Sequence, residues 1–261
     1  MHYIDIHGHY AWDVDDGIET KADAINALEK AKQQNMTAIV ATPHVIPGRQ
    51  DEKHIVLLKE RINELKTIAH ELDIAVYAGC ELFLNEETIE ALEDHIFISI
   101  NETKYLLCEF DVRKELSDDE MEVEDRLYEL AIRGYVPIIA HAERYFKGQI
   151  DIERIADWIE SGYLIQVNAT SLLGLHGKTC QNHAYTLIDQ GMVHIIASDT
   201  HRVQGHRVPN LKDVAHELSK KYDYETVKTL LCDNPQYIIH GQDVVHIEKQ
   251  KKSLFKKMFG R

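Results

Sequence analysis

His7 and His9 stand two residues apart in the opening stretch YIDIHGHY. In an extended chain that spacing puts both imidazoles on one side. Imidazole nitrogen is a common ligand of transition metals, and donors of the same kind recur downstream. His44 ends TAIVATPH, Glu81 follows IAVYAGC, and Glu109 follows YLLC. His141 sits in VPIIAHAER, and Asp199 and His201 close VHIIASDTH. Asp16 lies in an Asp-Asp-Gly loop shortly after the first run. Taken singly, each has an ordinary reading as a core histidine, a solvated carboxylate or a turn residue. Gathered together, they would bury many ionisable groups in one place, which is costly unless the charges are paired. Bound cations offset that cost. Mixed nitrogen and carboxylate donors suit Mn, Fe or Zn rather than Ca, and nine donors suit two or three ions rather than one. Two metals about 3.5–4 Å apart activate water near neutral pH and clamp a phosphate during in-line displacement. The remaining requirement is positive charge for the phosphoryl oxygens. Arg144 lies just beyond His141, and Arg202 and Arg207 follow His201. Arg144 and Arg207 are the preferred pair, and the combination argues for phosphoester over amide hydrolysis.

Each candidate ends a short apolar, β-branched run. The runs are 3–7, 37–44, 74–82, 105–110, 136–144, 163–169 and 193–201. Longer segments with helical periodicity lie between them, among them 21–34, 54–72 and 151–162. Ala24, Ile25, Leu28 and Ala31 form the expected inner face of the first, and Gly134 and Gly162 stand where helix C-caps belong. Near-continuous apolar strands alternating with helices predict parallel strands covered by helices. Seven strands at roughly thirty-residue intervals predict a closed barrel with a helical jacket, a doubly wound open sheet being the alternative. In a βα barrel the chemistry sits at the C-terminal strand ends, where six of the seven runs deliver His, Asp or Glu. The sixth offers Gln166 and Asn168 instead. No linker breaks the series, so one domain is expected over 1–248.

The bulk properties are consistent with such an enzyme. The 261 residues carry a formal charge of -15, which disfavours nucleic-acid binding. No run is long and apolar enough for a membrane span, and the polar start predicts no secretory signal. Four scattered cysteines fit a reducing cytoplasm. None is followed six places later by arginine, so none fits a cysteine-dependent tyrosine phosphatase; Cys80 and Cys108 are expected as barrel packing. The terminal stretch KQKKSLFKKMFGR, 249–261, holds six basic residues and no acidic one. It reads either as a solubilising tail or as a peripheral contact with an anionic membrane.

The set His7-x-His9, His44, Glu81, Glu109 with His141, and Asp199-x-His201 resembles the motifs of the PHP (polymerase and histidinol phosphatase) superfamily. More narrowly, VDDG, IVATPH, AHAERY, QVNATSLLG, ASDTH and DNP resemble the bacterial manganese-dependent protein-tyrosine phosphatases of capsule and exopolysaccharide loci. The similarity spans nearly the whole chain with its motifs in order. It implies an α/β fold, a distorted (β/α)7 TIM-like barrel, and three metals. His7, His9, Glu81 and Asp199 would bind the first. Glu81 would bridge to a second held by Glu109 and His141, and Asp16, His44 and His201 would hold the third. Manganese is the implied ion, with Fe, Zn and Mg as alternatives. A metal-bridging hydroxide would attack phosphorus while Arg144 and Arg207 orient the phosphate. The implied substrate is a phosphotyrosine protein, a membrane-associated bacterial tyrosine kinase controlling polysaccharide synthesis. One departure is local: the loop after His201 reads RVQGHRVP, where the family more often has Asn next and then an Arg-Arg pair. The rivals are a small-molecule phosphatase of the histidinol-phosphate type, an amidohydrolase lacking its usual lysine, and a non-catalytic kinase-binding barrel.

Overall fold

The computed structural model describes residues 1–116 and 122–250. Nine strands run through them: β1 (Tyr3–Gly8), β2 (Met36–Ala41), β3 (His44–Val45), β4 (Ala75–Ala78), β5 (Glu81–Phe83), β6 (Tyr105–Glu109), β7 (Val136–Ile139), β8 (Leu164–Asn168) and β9 (Ile195–Ala197). The nine arise from seven runs because the second and third are each interrupted. Thr42-Pro43 separates β2 from β3, and Gly79-Cys80 separates β4 from β5. Pro43 has no N–H to donate to a ladder. The chain bridges both gaps with single hydrogen bonds, Gly79 N to the Ala41 carbonyl and Glu81 N to the Pro43 carbonyl.

All strand pairs are parallel. One sheet runs β1-β2-β4 and the other β3-β5-β6-β7-β8-β9. The last run returns to the first: Gly8 and Thr200 form a parallel bridge, Asp199 N donates to the His7 carbonyl, and His9 N to the Thr200 carbonyl. This is the α/β, distorted (β/α)7 arrangement expected from the sequence. The distortion includes β1 itself, whose register against β2 shifts between Asp5 and Gly8. An irregularity there re-aims side chains at the strand end, where His7 and His9 lie.

Strand residues of one parity, including Ile4, Ile6, Val40, Leu107, Ile138, Leu164 and Ile195, form one apolar cluster. Ile39, Leu106, Ile139, Ile165 and Ile196 point the other way, into a second cluster with the helices. Burial on both faces explains why the strands read as continuous apolar runs. The helices Lys21–Gln33, Glu52–His70 and Ile152–Glu160 fall close to their expected spans and start on side-chain caps from Thr20, Asp51 and Asp151. Gly134 and Gly162 adopt the left-handed conformation of a C-cap, each at φ 88°. One residue of the expected inner face is displaced: Ile25 points to solvent, and Ala27 joins Ala24, Leu28 and Ala31 inside.

His194 ties β8 to β9. Its backbone N–H donates to the Ile165 carbonyl, its Nδ1 accepts from Ile165 N at 3.0 Å, and its Nε2 lies 3.1 Å from His246 Nδ1. Burial, aided by His246, lowers its pKa to about 3 from the ordinary 6.5. Between those values the unfolded chain binds a proton that the folded chain does not. Stability is therefore full above about pH 6.5 and falls on acidification, at up to about 1.4 kcal/mol per pH unit from this residue. Urea midpoints measured from pH 7 to pH 4 should drop, and the drop should shrink in His194→Gln.

Candidate metal centre

The strand ends converge as their spacing suggests. The Nε2 atoms of His7 and His9 lie 3.4 Å apart and face Glu81 Oε2 at 3.1 and 3.2 Å. Asp199 Oδ1 stands 3.5 and 3.7 Å from the same two nitrogens. His141 Nε2 approaches Glu81 Oε1 at 3.0 Å and Glu109 Oε2 at 3.5 Å. His44 Nδ1 lies 3.1 Å from Glu109 Oε1 and 3.3 Å from Glu81 Oε2. Asp16 Oδ1 sits between His44 Nε2 at 3.4 Å and His201 Nε2 at 3.5 Å. All nine predicted donors thus occupy one continuous patch. Three groups within it have ligand atoms mutually close enough to hold an ion: His7, His9 and Glu81; His44, Glu81 and Glu109; and His9, Asp16, His44 and His201. Glu81, His9 and His44 each belong to two groups, so the sites share donors. Relative to the sets the sequence resemblance implies, His9 also reaches the third group and His44 the second.

The donors fit divalent ions on two counts. First, two buried nitrogens of the patch lack a hydrogen bond: His44 Nδ1 and His201 Nε2. His44 Nδ1 and His201 Nε2 lie near carboxylate oxygens without the alignment of a hydrogen bond, as groups do that face a common third atom. Second, the electrostatics call for positive charge. Burial alone would lower His7, but Glu81 and Asp199 outweigh it and raise it to about 9. Burial opposes ionisation of Asp199, yet His7 and Arg207 hold it well below the carboxylate range. Burial lowers His201 to about 4, with help from His9.

A shell of polar residues orients these donors, and sequence reasoning assigned them no role. Asp15 Oδ2 accepts from His9 Nδ1 at 2.7 Å and from His44 N at 2.9 Å. Gln166 Oε1 accepts from His7 Nδ1 and from His141 N, both at 3.0 Å. Gln166 Nε2 donates to Asn168 Oδ1, and Asn168 Nδ2 donates to Asp199 Oδ2 at 2.8 Å. These bonds fix Nδ1 of His7 and His9 as the donor and turn Nε2 toward the centre, the atom through which each ring would bind an ion. Beneath them Asp5 accepts from Ser198 N and Ser198 Oγ. Polar residues on β8 were a visible signal; that an amide would align two histidines was not. Gln166→Leu should cost about 10- to 100-fold in metal affinity, read by competition with a metallochromic chelator.

The backbone is strained where two donors leave their strands. His141 and Asp199 adopt left-handed conformations at φ 37° and 55°. Such geometry costs on the order of 1–3 kcal/mol and persists where surrounding contacts fix it. The arginines divide by role. Arg207 Nη2 donates to Asp199 Oδ1 at 2.7 Å, and Arg144 Nη1 lies 3.6 Å from Asp199 Oδ2. Both line a cavity of about 280 Å³ together with Asp16, His44, Glu81, Glu109 and His141, walled by Phe83, Phe110 and Val112. Arg202 instead braces the Asp16 loop by donating to the carbonyls of Asp16, Gly17 and His201. The cysteines have no part in this cavity. Burial pushes the Cys80 thiol up to about 12 and Cys108 well above its usual range, so neither supplies a thiolate.

Four similarities bear on identity. The CapC protein of Staphylococcus aureus is 33% identical over 253 residues, covering 96% of this chain and 94% of its own. The tyrosine-protein phosphatase CpsB of Streptococcus pneumoniae is 28% identical over 249 residues, covering 92% of this chain and 99% of its own. A solved structure from a study of YwqE from Bacillus subtilis and CpsB from Streptococcus pneumoniae, described as unique metal-dependent tyrosine phosphatases, superposes with a TM-score of 0.83. It is 27% identical and covers 95% of this chain and 98% of its own. The model of the family "Capsular polysaccharide synthesis, CpsB/CapC" matches residues 3–240, and the chain belongs to the CpsB/CapC family.

Proposed function

We propose that the chain is a metal-dependent phosphotyrosine phosphatase. The observation that carries this is the packing of nine imidazole and carboxylate donors into one patch, five of which (Asp16, His44, Glu81, Glu109 and His141) line a cavity together with Arg144 and Arg207. Relatives named tyrosine-protein phosphatases over nearly their full lengths support it. His7, His9, Glu81 and Asp199 would hold one ion, Glu81, Glu109 and His141 a second, and Asp16, His44 and His201 a third. Manganese is the proposed ion. Divalent ions held there would supply Lewis acidity toward the phosphoryl oxygens and acidify a water molecule near neutral pH.

The protein's own groups do the rest. Arg144 and Arg207 both reach the Asp199 carboxylate, so their guanidinium donors converge on one point beside the donor patch. A phosphate seated there would receive their N–H groups on its non-bridging oxygens. Phe83, Phe110 and Val112 offer apolar wall to the tyrosine ring. The Asp15, Gln166 and Asn168 hydrogen bonds fix the donors before substrate arrives, so reorganisation is small at the moment of reaction.

The proposed substrate is a membrane-associated bacterial tyrosine kinase that controls capsule or exopolysaccharide synthesis, and the proposed location is the cytoplasm. The proposed catalytic unit is 1–248. The proposed membrane contact through 249–261 falls, from residue 251 onward, outside the described residues. The test is an autophosphorylated bacterial tyrosine kinase incubated with the protein, with and without EDTA, beside a phosphoserine protein. Loss of phosphotyrosine that EDTA blocks, with phosphoserine untouched, is the expected result. EDTA-insensitive loss, or none, would contradict the reading.

A further inference from the structure

His183 belongs to the helix Gly177–Asp189, away from the donor patch, and is buried. Both of its ring nitrogens meet backbone carbonyls: Nδ1 lies 3.1 Å from the Glu143 oxygen and Nε2 2.9 Å from the Gly148 oxygen. Carbonyl oxygens only accept. Each contact therefore needs an N–H on the imidazole, and the ring serves both at once only when it carries both protons. The two carbonyls bracket the segment that carries Arg144. The same segment is held at two more points. Glu143 Oε1 accepts from Asn168 N at 3.2 Å and from Ser171 Oγ at 2.5 Å. Tyr145 Oη accepts from Phe110 N at 3.0 Å. The segment leaves β7 through the left-handed His141 and turns at once into a short 3-10 helix, Ala142–Arg144. Its local geometry is unfavourable, and outside contacts must fix it.

We infer that His183 is a positioning residue for phosphate binding: its ring sits between the two ends of the 143–148 turn, donates to at least one of the two carbonyls, and so fixes the direction of the Arg144 guanidinium. The inference rests on the proposed role of Arg144. Neither the imidazole nor the clamped carbonyls touch the cavity, so the effect passes through the backbone of the turn. A long arginine side chain on an unclamped turn would sample many directions, and two well-placed donors would become one placed donor and one mobile one.

The test uses full-length protein loaded with Mn²⁺ and compares His183→Phe, which keeps ring volume, with His183→Gln, which restores an N–H donor. The readouts are KM and kcat for a phosphotyrosine peptide, inhibition by inorganic phosphate, bound metal, and the same substitutions in Arg144→Ala. We expect His183→Phe to raise KM and the phosphate inhibition constant roughly five- to tenfold with bound metal unchanged. His183→Gln should recover part of the loss, and His183→Phe should add little in the Arg144→Ala background. Three results would overturn the clamp. One is a fall in kcat alone that tracks the folded fraction. Another is loss of metal. The third is a full additional effect in Arg144→Ala. Absence of any Mn-dependent hydrolysis in the unmutated protein would instead overturn the functional reading beneath it.

Discussion

The double substitution His7→Ala/His9→Ala is expected to remove metal-dependent phosphotyrosine hydrolysis, by at least about a thousandfold, or roughly 4 kcal/mol of transition-state stabilisation. Both side chains are fully buried, and their Nε2 atoms, 3.4 Å apart, both face Glu81 Oε2 and Asp199 Oδ1. Without them, Glu81 and Asp199 lose two imidazoles that stand within 3.7 Å, and the proposed ion loses its nitrogen ligands. The loss should therefore appear in two measurements. Phosphate release from a phosphotyrosine peptide should fall to the level of metal-stripped protein. Bound manganese should fall by at least one ion per chain. Circular dichroism before and after chelation separates the loss of ligands from loss of fold. A related signature needs no mutation. His7 carries a proton in the metal-free protein well above neutrality, held mainly by Glu81 against the effect of burial. An incoming ion must displace it, so Mn²⁺ binding at pH 7.5 should release a proton, and affinity should rise with pH.

Arg144→Ala and Arg207→Ala should each lower kcat/KM for the phosphotyrosine peptide by about 10²- to 10³-fold while leaving bound metal in place. The two differ in what else they hold. Arg207 donates to Asp199 Oδ1 at 2.7 Å, so its removal frees a buried carboxylate oxygen. Arg144 sits farther, at 3.6 Å, and its loss should be felt almost entirely in substrate binding. Lysine should rescue neither well, because one ammonium cannot present the two parallel donors that match a phosphate. Equal activity of Arg144→Ala and the unmutated protein would show that the second proposed anchor is elsewhere. Arg202 is the built-in control. Three backbone carbonyls already take up its guanidinium, so Arg202→Ala should loosen the Asp16 loop rather than remove a phosphate contact.

Much of this was legible in the sequence because burial on both faces writes a parallel strand as an unbroken apolar run. Against such runs, terminal residues such as His44, Glu109 and Asp199 stand out. Two features erased the finer boundaries. Pro43 cannot donate to a ladder, and the Gly79-Cys80 step breaks the third run, so seven runs became nine strands. The orienting shell was less legible. Asp15 and Asp16 are adjacent, yet one supports His9 and the other faces His44 and His201; only the path of the loop decides which does which. Gln166 and Asn168 looked like a gap in the pattern, whereas amide groups there align two histidines and a carboxylate. Arg207 was already preferred over Arg202; the return of the chain after His201 sends Arg207 to Asp199 and Arg202 to the carbonyls of Asp16 and Gly17. His183 left no trace, because a helical histidine has no periodicity that distinguishes a clamp from an ordinary packed ring.

The most direct test of the central claim is phosphate release by metal-stripped protein from a phosphotyrosine peptide and from histidinol phosphate, each with and without added Mn²⁺. The account predicts release that returns with Mn²⁺, mainly from the peptide, and not in His7→Ala/His9→Ala. Turnover without metal, or turnover mainly of histidinol phosphate, would contradict it.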